Sequence, residues 1–145
     1  MDEDARKHLE FVQLVIARMN GNSFQLKGWA VALTAGLFAL SERSNPWFAL
    51  LAVVPICVFW GLDVFYLRTE RSYRELYKHL CKAYATNDKS LLYDMDLSSY
   101  KTLGHVALSS VAFSETQLWF YLPLLLSVGA VVTVLKLFAH VPAAG

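Results

Sequence analysis

The stretch WFALLAVVPICVFWGLDVFYL, residues 47–67, decides the fold class of this chain, because its only charged residue is Asp63, close to its end. A helix needs about 20 mostly apolar residues to cross the ~30 Å hydrocarbon core of a bilayer. Residues 47–67 have that length, so we expect a transmembrane helix. Pro55 predicts a kink in this helix, since proline removes one helical hydrogen bond.

Two more stretches are apolar enough to be membrane spans. Residues 117–139 are uncharged as far as Lys136 and form the third predicted span. Residues 24–40 form the first, although the uncharged part from Gly28 is short for a bilayer at ~1.5 Å per residue. This segment spans if Lys27 extends to the headgroups. A re-entrant or buried helix is the alternative.

The composition agrees with a single membrane domain over residues 1–145. The hydrophobic share is 56% and the mean hydropathy is +0.38, which is high for a soluble domain. The net charge of +1 argues against a nucleic-acid surface. Two cysteines, Cys57 and Cys81, cannot build a disulfide framework, and a reducing compartment is expected for Cys81.

The N-terminal residues 4–19 predict an amphipathic helix. Apolar side chains recur there at spacings of three and four, which places them on one helix face. They are Ala5, Leu9, Val12, Ile16 and Met19. This helix is expected either to pack on the rest of the protein or to lie in the membrane interface. Asn20-Gly21-Asn22-Ser23 predicts a break after it, with Gly21 ending one helix and Ser23 capping the next.

Residues 68–116 are expected to form a cytoplasmic helical layer. No Gly or Pro interrupts Arg68–Ala85, so this part should extend the second span as a helix. It carries a seven-residue repeat that continues from the span. The members of this aromatic seam are Tyr66, Tyr73, Tyr77, Leu80 and Tyr84. The seam should pack either on the 4–19 helix or on a neighbouring subunit. Asn87-Asp88 predicts a turn, and short helices should follow it.

Basic residues predict the orientation of the spans, because they accumulate on the cytoplasmic side. Before the first span and between the second and third lie Arg6, Lys7, Arg18, Lys27, Arg68, Arg71, Arg74, Lys78, Lys82, Lys89 and Lys101. The other side has Arg43 and Lys136. The N-terminus and residues 68–116 are therefore expected in the cytoplasm. The 41–46 turn and the C-terminus are expected in the periplasm, with the chain in a bacterial inner membrane.

Asp63 is the most informative single residue. A carboxylate within an apolar span costs several kcal/mol unless it is paired or wetted. A structural role would pair it with Lys27, with Arg18 or with backbone donors at the membrane edge. A functional role would make it a pore-lining or gating carboxylate.

A dense set of charges follows Asp63 on the predicted helical extension. The candidate residues for contact with a ligand or partner are Arg68, Arg71, Arg74 and Lys78. A solvated charged face is the simplest interpretation, with opposite charges supporting the helix at i,i+4. The alternative is a binding face for a nucleotide-type signal, an anionic headgroup or a partner, because arginine binds phosphate through a fork of donors.

No catalytic residue, metal site or cofactor is predicted. The four histidines lack metal-ligand spacing, and neither a phosphate-binding glycine loop nor a nucleophile elbow is present. Arg74 and His79 match the short Arg-x4-His pattern of HEPN-type ribonucleases, but nothing else in the sequence supports a nuclease. We therefore expect a protein that is not an enzyme.

Two sequence blocks resemble small bacterial membrane proteins that occur beside TIR-like and nucleotide-signalling genes in antiphage defence loci. The first block is HLEFVQ at 8–13 with NSFQLKGW at 22–29, and the second is FWGLDVFYLRTER at 59–71. The layout is also similar to SLATT-type effectors, which join a membrane hairpin to cytoplasmic helices. Their plan has two spans, whereas this chain has a third.

That resemblance implies an oligomeric membrane effector that senses a signal or partner and perturbs the membrane in antiphage defence. A chain with three spans is too small to enclose a conduction path, so this hypothesis requires a homo-oligomer. The alternatives are a membrane adaptor that docks a soluble partner, and a small subunit of a transporter. We predict an all-α integral membrane protein with three transmembrane helices, an N-terminal amphipathic helix and a cytoplasmic extension of the second span.

Overall fold

The computed structural model describes residues 2–43 and 45–139. Within these residues the protein is all-helical, as predicted. The elements in chain order are α1 (Glu3–Arg43), a 3₁₀ helix (Pro46–Ala52), α2 (Val53–Ala85), a 3₁₀ turn (Gly104–Val106), α3 (Leu108–Ala112) and α4 (Glu115–Ala139). The C-terminal tail from residue 140, predicted to be periplasmic, lies outside the described residues.

Three helical stretches are long and apolar enough to cross a membrane. They are Glu3–Glu42, Trp47–Ala85 and Glu115–Phe138. The first two contain the predicted spans 24–40 and 47–67, and the third begins two residues before and ends one residue before the predicted span 117–139. This agrees with a membrane protein on the grounds of length and composition.

The predicted break between the N-terminal helix and the first span was wrong. Helix α1 runs through Asn20–Ser23 without interruption, and Gly21 has no positive φ angle. A glycine inside a helix costs only about 1 kcal/mol relative to alanine. The inward face of α1 continues across this point, since Met19 is half-buried and Ser23 is buried. Side-chain packing along that face therefore outweighs the local preference for a turn.

Pro55 lies at the start of an α-helix rather than inside one, where the kink was predicted. Residues 46–52 form a 3₁₀ helix, and α2 begins at Val53, so Pro55 lies in the first turn of α2. The backbone N–H groups of a first turn have no partner inside the helix, and proline is tolerated there without bending it. The side-chain oxygen of Asn45 accepts a hydrogen bond from the backbone N–H of Trp47 at 2.9 Å and caps the 3₁₀ helix.

The helical extension of the second span is confirmed, since α2 continues unbroken to Ala85. Its end is a Schellman motif, in which the N–H of Asp88 donates to the carbonyl of Ala83 at 2.9 Å. Asn87 has a φ of 59° in this motif, and asparagine is one of the few residues that suits this left-handed position. The predicted turn at Asn87-Asp88 is therefore also confirmed.

The chain divides into two compact units. The first consists of Met1–Phe24 and Asp63–Ala112, and the second of Gln25–Leu62 and Phe113–Gly145. The core of the first unit joins α1, α2 and the segment that follows α2. Its buried members are Ala5, Leu9, Val12, Leu76, Leu80, Tyr84 and Leu97, with Tyr73 and Tyr77 packed against them. Four members of the aromatic seam thus pack on α1 within the same chain.

The core of the second unit is smaller and rich in aromatic contacts. Its buried members are Ala30, Ala52, Ile56, Tyr121 and Val128. The rings of Trp60 and Tyr121 are stacked with centroids 5.8 Å apart. The Tyr121 hydroxyl donates to the carbonyl of Phe59 at 3.3 Å. The Nζ of Lys136 lies 4.0 Å from the ring centroid of Trp47, a cation–π contact.

Candidate functional site

Asp63 is fully buried in the first unit, with 0% of its surface exposed. The hydroxyl of Ser23, on α1, donates to its Oδ1 atom. Ser23 was predicted to cap a helix. Its side chain instead donates a hydrogen bond to the carboxyl group of Asp63 on α2. A buried carboxylate needs such donors to offset its desolvation. A pore-lining or gating role of Asp63 stays a prediction.

The predicted arginine face is occupied by contacts within the first unit. Arg68 donates from Nε to the carbonyl of Val106 and from Nη2 to that of Lys101, both at 3.1 Å. Arg71 donates to the carbonyl of His105 at 3.2 Å. These two side chains thus bind α2 to residues 101–106 through the backbone.

The other members of the set form ion pairs. Arg74 pairs with Glu70, which is buried at a position where the heptad repeat would place an apolar residue. Lys78 pairs with Glu75 at 2.7 Å. The Nε2 of His105 also lies 3.3 Å from the Oε1 of Glu75. A role of these four basic residues in ligand binding stays a prediction.

Arg68→Ala is expected to loosen residues 101–106 and to lower the free energy of unfolding by about 1–2 kcal/mol, because two hydrogen bonds from a charged donor are lost. Increased amide hydrogen exchange in residues 101–106 would report the change. Lys101→Ala is the matched control, since its exposed side chain makes no such bond. Equal exchange in both variants would contradict this role.

A polar cleft of about 480 Å³ lies between α2 and the segment that follows it in the first unit. The α2 wall presents Lys78, His79 and Lys82, and the facing segment presents Asp94 and Tyr100. The hydroxyl of Tyr100 lies 2.7 Å from the Nδ1 of His79. Among the predicted contact residues, Lys78 alone lines this cleft.

A buried histidine is a feature that the sequence analysis missed. His8 of α1 is 1% exposed. Its Nδ1 accepts the backbone N–H of Tyr93 at 3.2 Å and lies 2.6 Å from the hydroxyl of Tyr84. Because Nδ1 accepts the backbone proton, the ring is neutral. Tyr93 has a φ of 62°, which is unusual for an aromatic residue. In the sequence, His8 adjoins Leu9 of the apolar face of α1, and this position could have indicated that its side chain is buried.

The stability of the first unit is expected to fall in mild acid. Burial lowers the pKa of His8 below its ordinary value of about 6.5, while the nearby Asp94 opposes this shift. The unfolded chain then takes up a proton that the folded chain excludes, so stability is lost as the pH falls below ~6.5. The slope cannot exceed about 1.4 kcal/mol per pH unit for one group.

Thermal unfolding of the purified protein between about pH 7.5 and 5.5 measures this dependence around the ordinary histidine pKa. His8→Gln should be less stable at pH 7.5 but should lose less stability on acidification. His79→Gln is the matched control, because His79 is exposed. An identical pH dependence of His8→Gln and the natural protein would show that His8 does not cause it.

Within the described ranges, no group of three or more His, Cys, Asp or Glu side chains could hold a metal ion. Searches of protein-family models, curated proteins and solved structures gave no match.

Proposed function

We propose that this chain is an oligomeric effector of the bacterial inner membrane, whose cytoplasmic residues respond to a signal or partner and whose spans then perturb or permeabilise the bilayer. The observation that carries the proposal is the small buried share of the apolar windows in the three long helices, which is 17%, 28% and 17%. Apolar surface of this extent needs lipid or further copies to cover it. A homo-oligomer is needed because three spans are too few to enclose a conduction path.

The orientation in this proposal follows from the basic residues, which place the N-terminus and residues 68–116 in the cytoplasm. The polar cleft then faces the cytoplasmic pool of small molecules and is the candidate site of the signal. Helices α1 and α2 each contribute residues to both units. The resemblance to proteins of defence loci supports antiphage defence as the biological setting.

A membrane adaptor is the second candidate function. It is favoured by a mostly apolar groove of about 630 Å³ in the first unit, lined by Leu9, Leu14 and Ala17 of α1 and by Tyr77 of α2. Leu14 is 63% exposed, and Phe11 beside it is 52% exposed. Such a surface could dock a soluble protein on the membrane.

The mass of the purified complex in nanodiscs, with the lipid contribution removed, tests the effector proposal. We expect a discrete oligomer of four or more copies that releases dye from liposomes. A monomer or dimer that releases no dye would contradict the effector proposal. Recovery of one stoichiometric soluble partner with that small species would support the adaptor.

A further inference from the structure

The two walls of the polar cleft carry opposite charges. The α2 wall holds Lys78 and Lys82, one turn apart, together with Glu75, so this wall carries one net positive charge. Asp94 and Asp96 lie on the facing segment. Within the described residues no ion pair joins these walls, since Lys78 pairs with Glu75 of its own helix. Opposite charges that do not meet leave room for a molecule that carries both signs.

Two carboxyl groups of the cleft, those of Glu75 and Asp96, have a lowered pKa. Hydrogen bonds from the hydroxyl and backbone N–H of Ser98 hold the pKa of Asp96 below its ordinary value. The side chain of Lys78 lowers the pKa of Glu75 in the same way. The Oδ1 of Asp94 accepts the N–H of Asp96 at 2.9 Å, which fixes the position of its carboxylate.

The net charge of the lining selects among ligand classes. The lining holds two lysines and the three carboxyl groups of Glu75, Asp94 and Asp96, and these five side chains together carry a formal net charge of one negative unit. A nucleotide with a doubly charged phosphate is disfavoured by this balance. A simple diamine is also disfavoured, because it has no anionic group for the lysines and would place a cation against them.

We propose that the cleft binds a free amino acid with a cationic side chain, of which arginine is the representative. Its carboxylate would contact Lys82 and its guanidinium would contact Asp94 and Asp96, where charge-assisted hydrogen bonds are strongest. The guanidinium can also stack near the Tyr100 ring. A ligand with one net positive charge neutralises the lining, and the 480 Å³ volume falls within the range of small-molecule sites.

Binding at the cleft stands independently of the membrane activity, whereas the role of the amino acid as the signal rests on the proposed effector function. Isothermal titration of the full chain in detergent with L-arginine tests the binding. We expect a dissociation constant below about 1 mM. L-alanine, which lacks the cationic side chain, and agmatine, which lacks the carboxylate, should each bind at least about tenfold more weakly.

Lys82→Ala and Asp94→Asn locate the site. Each should weaken L-arginine binding about tenfold, and the asparagine keeps an oxygen to accept the N–H of Asp96. Lys101→Ala, which removes an exposed lysine outside the cleft, should bind as the natural protein does. Circular dichroism of all three variants checks that the helices are intact.

The proposal fails if L-arginine does not bind at about 1 mM, if both cleft variants bind it unchanged, or if adenosine monophosphate binds in its place in a Lys82-dependent manner. L-arginine binding to a chain that forms no oligomer would retain the site and reject the effector function. An oligomer that releases dye but does not bind L-arginine would retain the effector function and reject the amino-acid site.

Discussion

Asp63→Ala is expected to lower the free energy of unfolding by about 3 kcal/mol. The carboxylate is fully buried and accepts a hydrogen bond from Ser23. Its removal leaves the buried hydroxyl of Ser23 without this acceptor, which costs about 1–3 kcal/mol. It also opens a void between α1 and α2, and the lost packing adds to that cost.

Thermal unfolding in detergent, followed by tryptophan fluorescence, measures this loss. Ser23→Ala is the companion variant, because it removes the donor but leaves the carboxyl group buried. It should cost about 1–3 kcal/mol, since a buried acceptor loses this donor. Asp63→Asn keeps the size and one oxygen acceptor and should cost less than Asp63→Ala. An Asp63→Ala variant as stable as the natural protein would show that the Ser23–Asp63 hydrogen bond has no structural role.

The same variants address the proposed effector function. If Asp63 gates a membrane path, Asp63→Asn should abolish dye release and the toxicity of the overproduced chain while the protein stays folded. Binding of a soluble partner should be unaffected by this change. Undiminished toxicity of a folded Asp63→Asn variant would leave Asp63 with a structural role alone.

Leu80→Ala is expected to lower the free energy of unfolding by about 3 kcal/mol. Leu80 is 0% exposed and packs with residues of both α1 and α2 in the core of the first unit. Truncation to alanine removes three buried carbons and leaves a cavity, which costs about 2–5 kcal/mol in tightly packed cores. This unit has a single small core, so few neighbours can close the void.

The matched control is Leu108→Ala, which makes the same chemical change at a side chain that is 57% exposed. It should change stability by less than about 0.5 kcal/mol. Urea unfolding in a mild detergent gives both values. A loss of equal size in the two variants would mean that the seam between α1 and α2 is not the core of the folded chain.

Much of the architecture follows from hydropathy alone. The apolar stretches around Trp47–Leu67 and 117–139 predict long helices because a bilayer demands about 20 apolar residues in a row. The absence of Gly and Pro from Arg68–Ala85 predicts the extension of α2, since no residue there interrupts the backbone hydrogen bonds. These are properties of consecutive residues and need no knowledge of tertiary contacts.

The continuity of α1 was decided by tertiary packing. Gly21 locally favours a helix end, but its cost of about 1 kcal/mol is small beside the burial of side chains on both sides of it. The role of Ser23 was also decided by tertiary packing. Its neighbours in sequence predict a helix cap. It serves as a partner of Asp63, which lies 40 residues away.

The sequence by itself determined the helical class, the extent of the apolar stretches and four of the five residues of the aromatic seam, because these depend on periodicity and composition. The tertiary structure alone decided which groups meet. It bound Arg68 to backbone carbonyls, brought His8 to Tyr84 and Tyr93, and opened a cleft between Lys82 and Asp94. The physical reason is that hydrogen bonds and ion pairs act over a few ångströms in space, and no periodicity along the chain records which distant segments come that close.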